Sequence, residues 1–372
     1  MKNVLINYMG RNNSGPLIAL EIAKALNKLG YNVYVVISKY ISNHDDWYQY
    51  NFAGIHEVAT YRSAKDLPGK TIQFCFKNRF KIKKDFKNIN IDMIIKPLFH
   101  PWADMVTNLY KTAKVITYCH DPIMHSGVSP LAHILYKSHI KHSNEIVVLT
   151  KSFIPIVVQK YGFAEKNVHF SPHGKLGTYK EKQVPQCTNL NAIYSQTKTN
   201  FMFFGRIQEY KGLHILAKAY EIVRRKYKNV SLTIIGSGNF AEYKNEFDRL
   251  EDVTIINRYI ADEEVGWCFT GSNLVTVLPY IDATQSGVVP IAMEFGVPII
   301  ASSTGGLVEQ LNDGMIGVFC RAADAEDLAE KMIKFIEEKD LYSSQQKLMA
   351  EKMKDLEWDV ILKRLIDELW GK

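Results

Sequence analysis

The run FFGRIQEYKGLHIL (203–216) sets Gly205 and Arg206 just past an apolar stretch, and Lys211 and Gly212 at the start of a helical pattern. Two fixed cations beside a helix N-terminus suit phosphate: exposed N–H groups and the dipole attract anions, while arginine adds a fork of donors and lysine a point charge. A second cluster lies downstream, where Thr284, Gln285, Ser286 and Gly287 form a polar turn ahead of another helical stretch. Such a turn presents backbone N–H groups to an anion, and glycine permits close approach. In the first half, His120 and Asp121 follow the strand-like run KVITYC (114–119), at the carboxyl end where doubly wound sheets place ligand residues. The opening loop, Gly10 to Gly15, precedes a helix at Pro16; its Asn12, Asn13 and Ser14 suit turn and N-cap positions as well as ligand contact.

The elements that must hold these residues alternate between short β-rich runs and amphipathic helical patterns, which is βαβ grammar and predicts parallel sheets covered by helices. Strands are expected at 3–8, 32–37, 71–76, 91–96, 114–119, 145–150 and 168–172, with a helix near 16–29. From about Lys175 to Asn200 the pattern dissolves into a polar stretch containing Pro185, read as a linker. Alternation restarts with strands at 201–204, 230–235, 253–256, 274–278, 297–302 and 316–320 and a helix from Lys211 to about Lys228. Only helical patterns follow Asp324, ending in WDVILKRLIDELW. The reading is an N-terminal Rossmann-like domain (1–174), a linker (175–200), a second Rossmann-like domain (201–355), and a final helix (356–372) packing towards the first domain.

A chain of 372 residues has length for two such cores, and 47% apolar with 23% charged residues describes a globular protein. Cys75, Cys119, Cys187, Cys268 and Cys320 are scattered, without the close pairs of zinc or redox sites, which fits a reduced cytosol. No signal peptide and no membrane span is expected. The net charge of +7 favours acidic ligands or surfaces.

On Arg206 and Lys211 the chain resembles glycosyltransferase family 4, whose signature G-R-x4-K-G binds the diphosphate of a nucleotide-sugar. Residues 278–319 likewise resemble that family's donor loop, its following helix and its Gly-Gly-Leu-x-Glu segment. The resemblance implies the GT-B fold, α/β with two Rossmann-like domains facing across a cleft. It also implies a retaining hexosyltransferase needing neither metal nor other cofactor, the nucleotide-sugar being a co-substrate. Carried over, Gly10, Gly15, Gly205, Arg206, Lys211, Gly236 and Thr284 to Gly287 face the donor. His120 lies near the reaction centre, and Asp121 orients it or binds acceptor. One departure stands out: most members carry two glutamates eight positions apart, where this chain has Ala283 and Ile291. Thr284 and Gln285 are read either as their substitutes or as turn residues, and Glu294, one helical turn past Ile291, as a candidate for the ribose.

Two further signals compete. The run VSLTIIGSGNFA matches the dinucleotide fingerprint at Gly236, Gly238 and Ala241, followed at Asn257 and Arg258 by no acidic residue; an arginine there suits an NADP phosphate. The run CFKNRFKIKKDFKN, spanning Lys77 to Lys87, mixes lysines with Phe76, Phe80, Ile82 and Phe86. It reads either as a solvated surface helix or as a contact with an anionic membrane. Nucleic-acid binding is not expected, since no nucleic-acid module accompanies the charge. The function expected is transfer of a sugar to a saccharide or lipid-linked saccharide acceptor in surface polysaccharide or glycan synthesis, in the cytoplasm or peripherally at the inner face of the membrane. A catalytically silent nucleotide-sugar-binding partner and an NADP-linked oxidoreductase are the alternatives. The base, whether uracil, guanine or adenine, the sugar, the acceptor and the oligomeric state are left open.

Overall fold

A computed structural model of the chain describes residues 2–12, 14–63, 65–123, 130–181, 193–311 and 314–371. It divides into two compact units, Met1–Pro172 with Glu357–Lys372, and His173–Leu356.

The first unit is built on β1 (Asn3–Tyr8), β2 (Asn32–Ser38), β3 (Gly54–Val58), β4 (Met93–Lys96), β5 (Lys114–Cys119), β6 (Glu145–Val148) and β7 (Val168–Phe170). Their order is β3-β2-β1-β4-β5-β6-β7, every neighbouring pair parallel. Helices cover both faces of such a sheet, so the central strands read as unbroken apolar runs; β4 and β6 are buried at every position. One core cluster gathers Leu5, Val36, Ile94 and Val106 around Phe74 and Trp102, whose rings stack at 4.7 Å. The final helix, Trp358–Leu369, buries Trp358, Ile361, Leu362, Leu365, Ile366 and Leu369 at helical spacing. It packs on the helix Gly15–Lys28 of the same unit. His169 fastens its end, with Nδ1 2.6 Å from Glu368 and Nε2 3.0 Å from Glu145.

The second unit is built on β8 (Thr199–Phe204), β9 (Val230–Ile235), β10 (Val253–Ile256), β11 (Leu274–Leu278), β12 (Ile299–Ser302) and β13 (Val318–Cys320). All pairs are parallel in the order β10-β9-β8-β11-β12-β13, which repeats the topology of the first six strands of the other sheet. Strand order therefore reverses between β1 and β4 and again between β8 and β11. These are the points at which open α/β sheets bind ligands beyond the strands' carboxyl ends.

Three expectations need correction. Residues 71–76, expected as a strand, lie within continuous helical backbone: Leu67–Gln73, a π turn Phe74–Asn78, then Arg79–Asp85. The alternation of Ile72, Phe74 and Phe76 imitates a strand because this helix carries apolar residues on two opposite sides, only one of them buried. Strand β3 was not expected, since His56 and Glu57 interrupt its short apolar pattern. The described ends of the supposed linker belong to the second unit, where Leu176, Tyr179 and Tyr194 are buried and Tyr194 donates to the Cys268 carbonyl at 2.6 Å. Residues 182–192 of that stretch, Cys187 included, lie outside the described residues. Cys75, Cys119, Cys268 and Cys320 are free thiols. Among the described residues no helix is long and apolar enough to cross a membrane.

Candidate functional site

In the second unit the chain leaves β8 at Gly205, whose φ of +131° turns the backbone along the end of β9. The Gly205 N–H donates to the Ile235 carbonyl (3.0 Å) and the Ile207 N–H to the Ser237 carbonyl (2.9 Å). Residues 205–207 thus run against 236–238. A Cβ on Gly236 would collide with the Gly205 carbonyl oxygen, and one on Gly238 with that of Ile207. These glycines are explained by backbone packing, which removes the main support for a dinucleotide fingerprint. The other support goes too: Asn257 donates to the Gly238 carbonyl at 3.2 Å, and Arg258 is forked onto Glu264 at 2.7 Å through both terminal nitrogens.

Arg206 is exposed and makes no ion pair with a described residue. Lys211 ends a single 3-10 turn, and Gly212, at φ +70°, begins the helix Leu213–Lys226. Gly212 packs so closely on the Pro279 carbonyl that no side chain fits, and the Ile281 N–H donates to the Tyr210 carbonyl at 2.8 Å. The loops after β8 and β11 are therefore joined across the switch point. Lys211 is buried, with its ammonium 3.6 Å from the Tyr280 ring centroid and 5.1 Å from that of Tyr210. Burial pushes this ammonium down to about 8; Tyr210 opposes the shift and the Arg206 charge adds to it. Two cations that repel one another in a partly desolvated corner form a site whose strain an anion relieves.

Tyr280 is fully buried and joins this corner to the downstream turn, its hydroxyl lying 3.2 Å from Ser286 Oγ. Gln310 holds the same turn from behind, accepting from the Ser286 N–H at 2.7 Å and donating to the Ser286 carbonyl at 3.1 Å. The Gly306 N–H caps the Ala283 carbonyl at 3.0 Å, where Gly305 at φ +47° leaves no room for a Cβ. The Ser286 N–H is thus already engaged and is not among the donors offered to an anion, contrary to expectation. Gly287 has open space where a Cβ would stand, at the start of the helix Val288–Phe295. Thr284 and Gln285 are half-buried on the same turn. Ala283 and Ile291 are buried apolar residues. Glu294 lies near the far end of its helix, beside Gly177, roughly 10 Å along the axis from Gly287 at 1.5 Å per residue.

In the first unit His120 follows β5, and its Nε2 lies 2.9 Å from the Pro97 carbonyl beyond β4. Burial lowers its pKa, against the pull of that carbonyl and of Asp121. With the Nε2 proton donated to Pro97, Nδ1 is the basic nitrogen. Asp121 is its chain neighbour at the carboxyl edge of the sheet. In the opening loop Gly10 and Gly15 both close on the Tyr8 ring, whose hydroxyl occupies the space where either Cβ would lie. Ser14 sits at the N-cap without a side-chain cap bond, and Asn13 lies outside the described residues. Among the described residues no group of three or more His, Cys, Asp or Glu side chains is placed to hold a metal ion.

Tyr280 and Gln310 are the contributors that sequence reasoning missed. Tyr280 carries a faint signal, a polar-tipped aromatic two residues beyond an apolar strand; Gln310 carries none, because its role exists only once the helix Gly306–Gln310 returns to the turn.

Comparison with known proteins bears on the family and the fold. Residues 18–174 match the family model described as Glycosyltransferase Family 4, and residues 198–338 the one described as Glycosyl transferases group 1. An uncharacterized glycosyltransferase of Haemophilus influenzae is 22% identical over 367 residues, covering 95% of this chain and 94% of the relative. The capsular polysaccharide biosynthesis glycosyltransferase CapM of Staphylococcus aureus is 24% identical over 241 residues, covering 63% of this chain and 57% of the relative. Two solved structures share the fold over 100% of both chains: a sucrose-phosphate synthase from Thermosynechococcus elongatus (TM-score 0.73, 15% identity) and Anabaena HepE in complex with UDP and glucose (TM-score 0.72, 14% identity).

Proposed function

The chain is a glycosyltransferase of family 4 with the GT-B fold, and from that premise we propose that it moves a sugar, with retention of configuration and without a metal ion, from a nucleotide-diphosphate-sugar to a saccharide or lipid-linked saccharide acceptor. The observation that carries the donor half is the corner where Arg206, Lys211 and the Tyr280-to-Gly287 loop meet at the switch point of the second sheet. As the sugar–phosphate bond breaks, negative charge grows on the departing diphosphate. Cations already fixed there stabilise that state more than the intact donor, which is how they accelerate the reaction. An oxygen of the departing phosphate takes the proton of the acceptor hydroxyl as it attacks from the same face. No carboxylate nucleophile is invoked, since Ala283 stands where most relatives place a glutamate.

His120 and Asp121 serve the reacting groups from the first unit, and the acceptor belongs to surface glycan synthesis, as CapM's own description suggests for that relative. The enzyme then works in the cytoplasm or at the inner face of a membrane. HepE was captured with UDP and glucose, which makes UDP-sugars the first donors to try. The test is release of nucleoside diphosphate from UDP-, GDP- and ADP-sugars over a broad acceptor pool, with and without chelator. Turnover that survives chelation is expected. Turnover lost on chelation sinks the metal-free reading, and donor binding without any turnover leaves a silent partner.

A further inference from the structure

We infer that the helical segment from Leu67 to Asp85 in the first unit is a membrane-docking surface that takes anionic phospholipid. This extends the proposed lipid-linked acceptor and rests on that reading for its purpose, though not for its physics. Between Arg62 and Lys87 the chain carries nine lysines and arginines against two aspartates, a net +7 that equals the charge of the whole protein. The remainder is neutral, so attraction to an anionic surface is focused on this one stretch. Both aspartates are occupied: Asp66 accepts from the Arg62 and Ser63 N–H groups at 2.8 Å, and Asp85 lies 2.6 Å from His56 Nδ1. Lys77, Lys81, Lys83, Lys84 and Lys87 are exposed, and none makes an ion pair with a described residue. Elsewhere basic side chains are commonly paired, as Lys198 and Arg224 are with Asp252.

The same segment exposes a row of large apolar residues. Ile72, Phe76 and Phe80 recur every four residues and are 61%, 80% and 51% exposed, while Phe74, Ile82 and Phe86 are buried on the other side. The helix thus has two apolar sides, and the unit's own core accounts for one. Lysines beside the exposed row can keep their ammonium groups at headgroup level while the rings enter the acyl boundary. Lysine also outnumbers arginine five to one between Lys77 and Lys87, and Arg79 is half-buried with its guanidinium 4.8 Å from the Phe80 ring centroid. Mobile point charges suit a fluid, diffuse anionic surface better than the fixed carboxylates of a protein partner, for which the arginine fork is fitted.

The test is co-sedimentation of the full chain with phosphatidylcholine vesicles, with and without phosphatidylglycerol, at low and high salt. Binding to the anionic vesicles alone, weakened by salt, is expected. Phe76→Ser with Phe80→Ser, and separately Lys81→Glu with Lys84→Glu, should each lower partition about tenfold or more while leaving circular dichroism and thermal unfolding unchanged. Absence of vesicle binding, binding indifferent to lipid charge, or capture by polyglutamate in place of vesicles overturns the assignment. Nucleoside diphosphate release in the same preparations, with a water-soluble acceptor, keeps the two readings apart. Turnover without vesicle binding removes the membrane surface and spares glycosyl transfer; vesicle binding without turnover does the reverse.

Discussion

The two sheets share one strand order, yet their carboxyl ends are finished by different means. In the second unit the loops after β8, β9, β11 and β12 lock together through backbone: Gly212 against Pro279, Gly236 against Gly205, Gly305 against Ala283. In the first unit the loop after β1 closes instead on a side chain, the Tyr8 ring between Gly10 and Gly15. Charge divides in a similar way. The second unit places one buried cation and one exposed cation at its switch point, whereas the first unit gathers a net charge equal to that of the whole chain in the stretch from Arg62 to Lys87. A backbone-locked corner suits a group of fixed shape such as a diphosphate. A loop packed on a side chain can be altered by substitution without dismantling the sheet.

The largest effect that sharpens this contrast is catalytic. Arg206→Ala and Lys211→Ala should each cost roughly 100- to 1,000-fold in kcat while leaving the fold intact, measured as nucleoside diphosphate release alongside circular dichroism. Near-normal rates in both would break the assignment of the corner to the diphosphate.

Next in size is a difference in rescue. Gly236→Ala forces a φ of +148° on a side chain and drives it into a carbonyl, so urea unfolding should show a loss of about 3 kcal/mol that no neighbouring substitution restores. Gly15→Ala meets chiefly the Tyr8 hydroxyl; its loss, about 1–3 kcal/mol, should be largely recovered by Tyr8→Phe. Equal rescue in both units would erase the distinction.

Smaller effects concern how Lys211 is held. Tyr280→Leu removes the ring under the ammonium and should raise the donor KM about 2- to 30-fold, whereas Tyr280→Phe keeps the ring and loses only the Ser286 contact. Because Lys211 in the free protein titrates near 8, against 10.5 for an ordinary lysine, donor affinity should be greatest below pH 8 and weaken above it. Stability carries the opposite sign. Between about 8 and 10.5 the unfolded chain binds the proton more tightly, so burying Lys211 costs least at the alkaline end. A donor titration flat from pH 7 to 9.5 would remove Lys211 from the site.

Reading the sequence located both sheets, because buried parallel strands are written as contiguous apolar runs, and it located the cation pair, because Gly-Arg and Lys-Gly sit where a strand ends and a helix begins. It misread residues 71–76 because alternation alone cannot distinguish a strand from a helix with two apolar sides. The part played by each glycine was also hidden. Gly236 and Gly287 look alike in sequence, but the first faces a carbonyl and the second faces open space.

By itself, then, the sequence determined the two α/β units, the family, and the placement of Arg206 and Lys211 after the first strand of the second sheet, since these depend on local periodicity and on residues close together in the chain. Tertiary structure alone decided that Lys211 is buried on Tyr280, that Gln310 takes the Ser286 N–H, and that Ile72, Phe76 and Phe80 face outward. Each of those facts depends on which distant segments arrive at the same place, and on how much water their meeting excludes.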